Sequence, residues 1–269
     1  MSVEFSAVED PDQLIGRVLA DRYLVEARLD GGGMGTVYRA VHIKVGRRFA
    51  VKVLHPHLLD NDKVVQRFRR EAELSAQMHH ANVVAAFDVG TTAEGLHYLV
   101  MEYVDGRDLA TLMTEAPMPP PRVLSLLRQL CDGLHHAHQR GLVHRDFKPQ
   151  NVIVERDADG VEVPRILDFG IAALSASADP DGERLTSRGI VLGTPQYMAP
   201  EQAVGDDLDH RVDLFALGVV LYEMLSGELP FDGTGVQVAR ANLMLDPPPI
   251  SSRVPGSWWI RCSRRWCIV

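Results

Sequence analysis

From Tyr23 to Met101, apolar and polar positions alternate in short runs, and Tyr23 to Leu29, Thr36 to His42, Arg48 to Leu54 and Leu96 to Met101 each predict a β-strand. Between them, Lys63 to Met78 abandons the two-residue rhythm and predicts a polar amphipathic helix. After the linker Val104-Asp105-Gly106 the period changes. Val123, Leu126, Leu127, Leu130 and Leu134 recur at intervals that put them on one helical face. Pro119, Pro120 and Pro121 stand where they can start that helix but not extend it backwards. Val152 to Leu167 predicts a hairpin turned by Asp159-Gly160. Asp213 to Leu225 is apolar nearly all round, which places a helix in the middle of a core, ended by Gly227 and Pro230. The predicted class is α+β: a small sheet with one helix, followed by a larger, mainly helical part.

Composition narrows the picture. With 46% hydrophobic residues in 269, the chain can bury a sizeable core as one large domain or two lobes. A formal net charge of -8 argues against general nucleic-acid binding, which draws on a basic face. The segment MSVEFSAVEDPDQ has no apolar leader, and the apolar run Leu214 to Leu225 is interrupted by Glu223, so no membrane segment is expected. Cys131, Cys262 and Cys267 have no metal-ligand spacing, which predicts no disulfide framework and a reducing, cytoplasmic setting.

The candidate chemistry begins with Leu29-Asp30-Gly31-Gly32-Gly33-Met34-Gly35-Thr36-Val37-Tyr38, set between two predicted strands. Missing side chains there let backbone N–H groups approach phosphate oxygens. Phe49-Ala50-Val51-Lys52 follows on the next strand, and Glu71 on the predicted helix is the carboxylate that would hold Lys52 against phosphates. Alone, the glycine cluster reads first as a flexible hairpin turn, and Lys52 and Glu71 as a solvated strand residue and a solvated helix residue. The decisive stretch is His144-Arg145-Asp146-Phe147-Lys148-Pro149-Gln150-Asn151, followed by Asp168-Phe169-Gly170 and by Gly193-Thr194-Pro195-Gln196-Tyr197-Met198-Ala199-Pro200-Glu201. Together these segments supply a base, a cation and two oxygen ligands for metal, the needs of phosphoryl transfer.

In that order and at that spacing, the motifs resemble those of the eukaryotic-like protein serine/threonine kinases, particularly the bacterial members, from about Tyr23 to Pro255. The resemblance implies a bilobal kinase fold, with residues 1–22 as lead-in, 23–103 as the small ATP-binding lobe, 104–256 as an incomplete large lobe and 257–269 as an aberrant tail. It implies ATP and Mg²⁺ as cofactors and serine or threonine hydroxyls of proteins as substrates. Asp146 then takes the role of base, and Lys148 neutralises charge on the transferred group. Lys52 and Glu71 form the phosphate clamp, Thr194 marks Ser/Thr specificity together with Lys148, and Asn151 and Asp168 are the metal ligands. Adenine would lie between Val37 and Ala50 on one side and Ile153 on the other, with Met101 behind it and backbone groups of Glu102 and Val104 at its edge. Arg145 would receive a phosphate on the segment from Asp168 to Glu201, with Thr186 the best-placed acceptor, which also implies self-association for autophosphorylation.

Two departures stand out. Asp30 occupies the place of the first loop glycine, and its carboxylate is expected to weaken ATP binding modestly. Ser257 to Val269 holds all the tryptophans, and in a neighbouring reading frame GSWWIRCSRRWCIV becomes approximately ELVDPLLAALVHR, an amphipathic helix of the type the family has there. A frameshifted tail is therefore expected, and a catalytically weak or inactive kinase-like fragment, acting as a nucleotide- or protein-binding module, is the alternative function.

Overall fold

The computed structural model describes residues 11–115, 117–169, 194–204 and 208–255. The chain divides into two compact units, the first ending at Asp105 and the second starting at Gly106.

In the first unit, β1 (Val18–Leu19), β2 (Tyr23–Gly31), β3 (Gly35–His42), β4 (Arg48–Leu54), β5 (Ala86–Thr91) and β6 (His97–Glu102) form an antiparallel sheet in the order β1-β2-β3-β4-β6-β5. Helix α1 (Asp62–Ala76) packs on β5 through a buried stripe of Val64, Phe68 and Ala72, spaced four apart. Strand alternation sorts the sheet into two faces. Tyr38, Ala40, Phe49, Val51, Val53, Tyr98 and Val100 join Leu14, Leu19, Tyr23 and Val25 in one buried cluster. Their neighbours in sequence, Val37, Ala50, Lys52, Leu99 and Met101, lie on the opposite face. Register brings these together, because Val37 pairs with Lys52, Lys52 with Leu99 and Ala50 with Met101. Tyr23 anchors the cluster by edge-on contact with Phe49 at 5.8 Å.

The predicted strands are present, with β2 running two residues further, through Gly31. The sequence pattern gave no sign of β5, whose core rhythm is broken by Asp88 and Gly90 and which carries an irregularity between Ala86 and Asp88. The glycine run is the tip of the β2–β3 hairpin, where Gly31 pairs with Thr36. None of Gly31, Gly32, Gly33 and Gly35 has a positive φ, so backbone conformation alone does not call for glycine here. Gly35 is needed for packing, since a Cβ there would strike the Val53 carbonyl oxygen of β4. At Gly32 and Gly33 a Cβ would meet nothing within 4 Å.

In the second unit, β7 (Arg107–Asp108), β8 (Val152–Arg156) and β9 (Glu162–Ile166) form a small sheet, with Gly160 in the left-handed conformation (φ 78°) at the predicted hairpin turn. Asp108 caps α2 (Leu109–Met113) by accepting from the Thr111 N–H at 2.7 Å. Helix α3 (Pro120–His138) begins at the prolines and buries Val123, Leu126, Leu130 and Leu134, while Leu127 is only half-buried at the margin of that face. Arg122 on α3 makes a two-pronged bond to Glu162 on β9, each contact at 2.9 Å. Further along lie α4 (Pro200–Val204), α5 (Arg211–Ser226) and α6 (Gly235–Met244). Helix α5 is buried along most of its length, as its composition predicts, with Leu214 at the exposed edge. Gly227, at φ 79°, ends it with a left-handed cap donating to the Glu223 carbonyl at 2.7 Å.

Replacing Gly35 by alanine is expected to lower stability by about 1–3 kcal/mol, because the obstacle is backbone and cannot rotate aside. Gly33→Ala should leave the thermal midpoint unchanged. Equal midpoints for the two variants would contradict the packing role of Gly35.

Candidate active site

The segment between α3 and β8 is organised by Asp213 in the first turn of α5. The Asp213 carboxylate, 1% exposed, accepts from the backbone N–H groups of His144 and Arg145, both at 2.8 Å, and from His138 Nε2 at 2.7 Å. A carboxylate so buried is tolerable because three donors replace water. These bonds help to hold Arg145 in a left-handed conformation, φ 66°, that a residue with a Cβ seldom adopts.

The fully buried His144 fixes the segment from the other side. Its Nε2–H donates to the Leu167 carbonyl at 2.8 Å, and its Nδ1 accepts from the Asp146 N–H at 3.3 Å, so both ring nitrogens are used and the tautomer is defined. Its ring lies against Phe147 and Phe169, at centroid distances of 5.7 and 5.1 Å. The Leu167 N–H in turn donates to the Asn151 carbonyl at 2.9 Å, and the next residue, Asp168, is left-handed at φ 54°.

On this frame the polar side chains converge. Lys148 Nζ donates to Asp146 Oδ2 at 2.7 Å and to Thr194 Oγ1 at 3.2 Å. Asn151 Nδ2 donates to the Asp146 carbonyl at 2.8 Å, which leaves the amide oxygen as that side chain's acceptor. Gln202 donates to the Arg145 carbonyl at 2.8 Å and accepts from the Ala199 N–H at 3.0 Å, tying α4 to the loop. Asn242 on α6 donates to the Met198 carbonyl at 3.2 Å. Tyr197 donates to Glu223 Oε2 at 2.6 Å. Burial pushes the Glu223 carboxyl upward against that bond, and burial with the carboxylate contact pushes the tyrosine hydroxyl upward too.

Residues 23–252 match the family model described as the protein kinase domain. The chain belongs to the protein kinase family. It is 41% identical over 250 residues to serine/threonine-protein kinase pkn3 of Myxococcus xanthus, covering 92% of this chain and 46% of that protein. To PknB of Mycobacterium leprae it is 42% identical over 243 residues, covering 88% of this chain and 38% of the relative. Among solved structures, the PknI kinase domain of Mycobacterium tuberculosis superposes with a TM-score of 0.67 at 30% identity, covering 90% of this chain and 85% of that one. The fold is the protein kinase fold. The chain spans less than half the length of these curated relatives.

Within this kinase domain the structure brings together Asp146, Lys148, Asn151 and Thr194 in the second unit, with Asp168 next to Leu167 and Ile153 half-buried on β8. In the first unit, Val37, Ala50, Lys52 and Met101 share the sheet face that the core leaves to them. Leu29 is an exposed residue of β2, Met34 and the glycines 31–33 form the hairpin tip, and Gly35 and Thr36 open β3. The Glu102 N–H is already used, donating to the Ala85 carbonyl at 2.9 Å, which restricts any adenine contact from Glu102 to its carbonyl; Val104 is buried two residues further on. Asp30 lies within β2 opposite Val37, and its Oδ1 accepts from the Gly31 N–H at 2.7 Å, removing one loop donor. Glu71 lies on α1, but its side chain is outside the described residues, as are Thr186, Gly170 and the tail from Gly256. Glu201 is half-buried on α4, and its charge acts on Arg211.

Sequence reasoning did not find Asp213, Gln202 or Asn242. An acid in the first turn of a largely apolar helix was the available signal for Asp213. Asp213→Asn puts an amide N–H against at least one of the three donors and is expected to cost about 3 kcal/mol. The exposed neighbour substitution Leu214→Asn should cost almost nothing. Denaturant midpoints of the two variants check this, and equal losses would remove Asp213 from its organising role.

Proposed function

We propose that this kinase domain transfers the γ-phosphoryl group of ATP to serine or threonine hydroxyls of proteins. The observation that carries the reading is the contact of Lys148 with both Asp146 and Thr194 on a loop pinned by Asp213. The names of the relatives as serine/threonine-protein kinases support it. Protein kinases in general use ATP and a divalent metal. The ligand set here suits Mg²⁺, because the Asn151 amide oxygen and the Asp168 carboxylate are hard oxygen donors. Bound there, the ion would supply charge neutralisation at the phosphates.

In this reading Lys148 occupies Asp146 Oδ2 and leaves Oδ1 to accept the proton of the attacking hydroxyl. A bond forms between that oxygen and the γ-phosphorus, and the bond to the bridging oxygen of ADP breaks with its electron pair. Lys148 then stabilises charge on the equatorial oxygens. Lys52, with Glu71, would hold the α- and β-phosphates, and the hairpin tip would cover them. At Gly32 and Gly33 neither conformation nor internal packing demands glycine, which is what close approach by an external group would select. Residues 23–103 would act as the nucleotide lobe and 104–256 as the catalytic and peptide lobe, with autophosphorylation at Thr186 between associated copies. No helix among the described residues is long and apolar enough to cross a membrane; we assign the domain's action to the cytoplasm from its cysteine usage.

Asp146→Asn should reduce transfer to a basic protein substrate by about 10²–10⁴-fold while leaving the affinity for a fluorescent ATP analogue within about twofold. Transfer at the parent rate would show that Asp146 is not the base.

Asp168→Ala should abolish the Mg²⁺-dependent component of ATP binding. Asp30→Gly, by releasing the Gly31 N–H and removing a charge, should tighten binding by a factor of about 2–5. Titrations with and without Mg²⁺ separate the two, and a weaker Asp30→Gly complex would reverse the assigned effect of that carboxylate.

A further inference from the structure

His55, the first residue after β4, makes two bonds to the hairpin tip. Its backbone N–H donates to the Met34 carbonyl at 2.9 Å, and its Nε2 lies 2.8 Å from the Gly32 carbonyl oxygen. A carbonyl oxygen only accepts, so Nε2 carries the proton and donates. The His57 ring stacks beside the His55 ring, with centroids 5.5 Å apart and planes 21° from parallel.

These bonds change what the tip offers. A two-residue hairpin is ordinarily closed by the N–H of its fourth residue donating to the carbonyl of its first. Here the Gly32 N–H donates to the Gly35 carbonyl at 3.0 Å, but the reciprocal bond from Gly35 N–H to Gly32 is absent, because His55 holds that carbonyl. A trans peptide sets N–H and C=O on opposite sides of one plane. With the Gly32 and Met34 carbonyls both turned towards His55, the following N–H groups, those of Gly33 and Gly35, are turned away from it. Two backbone donors, separated by one residue and facing away from the strand that anchors them, suit an anionic oxygen.

We propose that His55 is a positioning residue for the phosphates of the nucleotide: it withdraws the carbonyl that would close the turn and so keeps the Gly33 and Gly35 N–H groups directed at the ligand. The inference rests on the reading of this hairpin as the phosphate loop. Either ring state donates from Nε2, so the role calls for a donor of the right length rather than for a charge, and glutamine can supply one.

The test compares ATP and adenosine binding by calorimetry for the parent domain, His55→Ala and His55→Gln. His55→Ala should weaken ATP by about fivefold, the scale of one modest hydrogen bond, with adenosine affinity unchanged and kcat within about twofold. His55→Gln should recover most of the ATP affinity. Equal weakening of adenosine and ATP would show a general structural role, and unchanged ATP affinity in His55→Ala would show none; either overturns the inference while leaving the kinase reading intact. A parent domain that binds neither ligand overturns the kinase reading and the inference with it.

Discussion

A single buried carboxylate sets the geometry of the segment from His144 to Asn151. Asp213 sits on α5, whose apolar sides are clamped in the core, and it accepts from two consecutive backbone N–H groups and from His138. Directly beyond these two donors the chain turns, at the left-handed Arg145. Core burial, an expensive charge and a strained backbone angle thus become interdependent. The apolar helix fixes the carboxylate, the carboxylate fixes the loop, and the loop places Asp146 and Lys148.

The first unit solves a different problem. Its sheet must be rigid yet carry Lys52 on the face opposite its aromatic core, and pleating does this without extra elements. The cluster around Tyr23, Phe49 and Tyr98 stabilises one side, while Val37, Ala50, Lys52 and Met101 occupy the other at no cost to that packing. Gly35 shows how close the fit is where the hairpin meets β4.

What could be read from the sequence follows the range of the interactions involved. The strands with clean alternation, the helical face of Val123, Leu126, Leu130 and Leu134, and the Asp159-Gly160 turn depend on local periodicity and steric preference, and all are present. β5 was invisible because Asp88 and Gly90 interrupt its pattern, and it is recognised as a strand only through pairing with β6. Asp146, Lys148, Thr194 and Asn151 were legible as a motif, but the bonds that pin their loop come from Asp213, Gln202 and Leu167, and the first two lie more than fifty positions away. The tie between His55 and Gly32 was hidden for the same reason, since a histidine after a strand carries no sign of the carbonyl it will meet.

The strict alternation of β4 also governs which changes in chain length the domain could accommodate. Moving that strand by one position against β3 and β6 would send Ala50 and Lys52 into the aromatic cluster and turn Phe49, Val51 and Val53 outward. An inserted or deleted residue there would exchange the two faces of the sheet together, whereas a two-residue change would preserve the faces and displace only the lysine along the strand. Natural variation in length should therefore collect in the connections around β4, such as the turn between His42 and Arg48, and be absent from the strand itself.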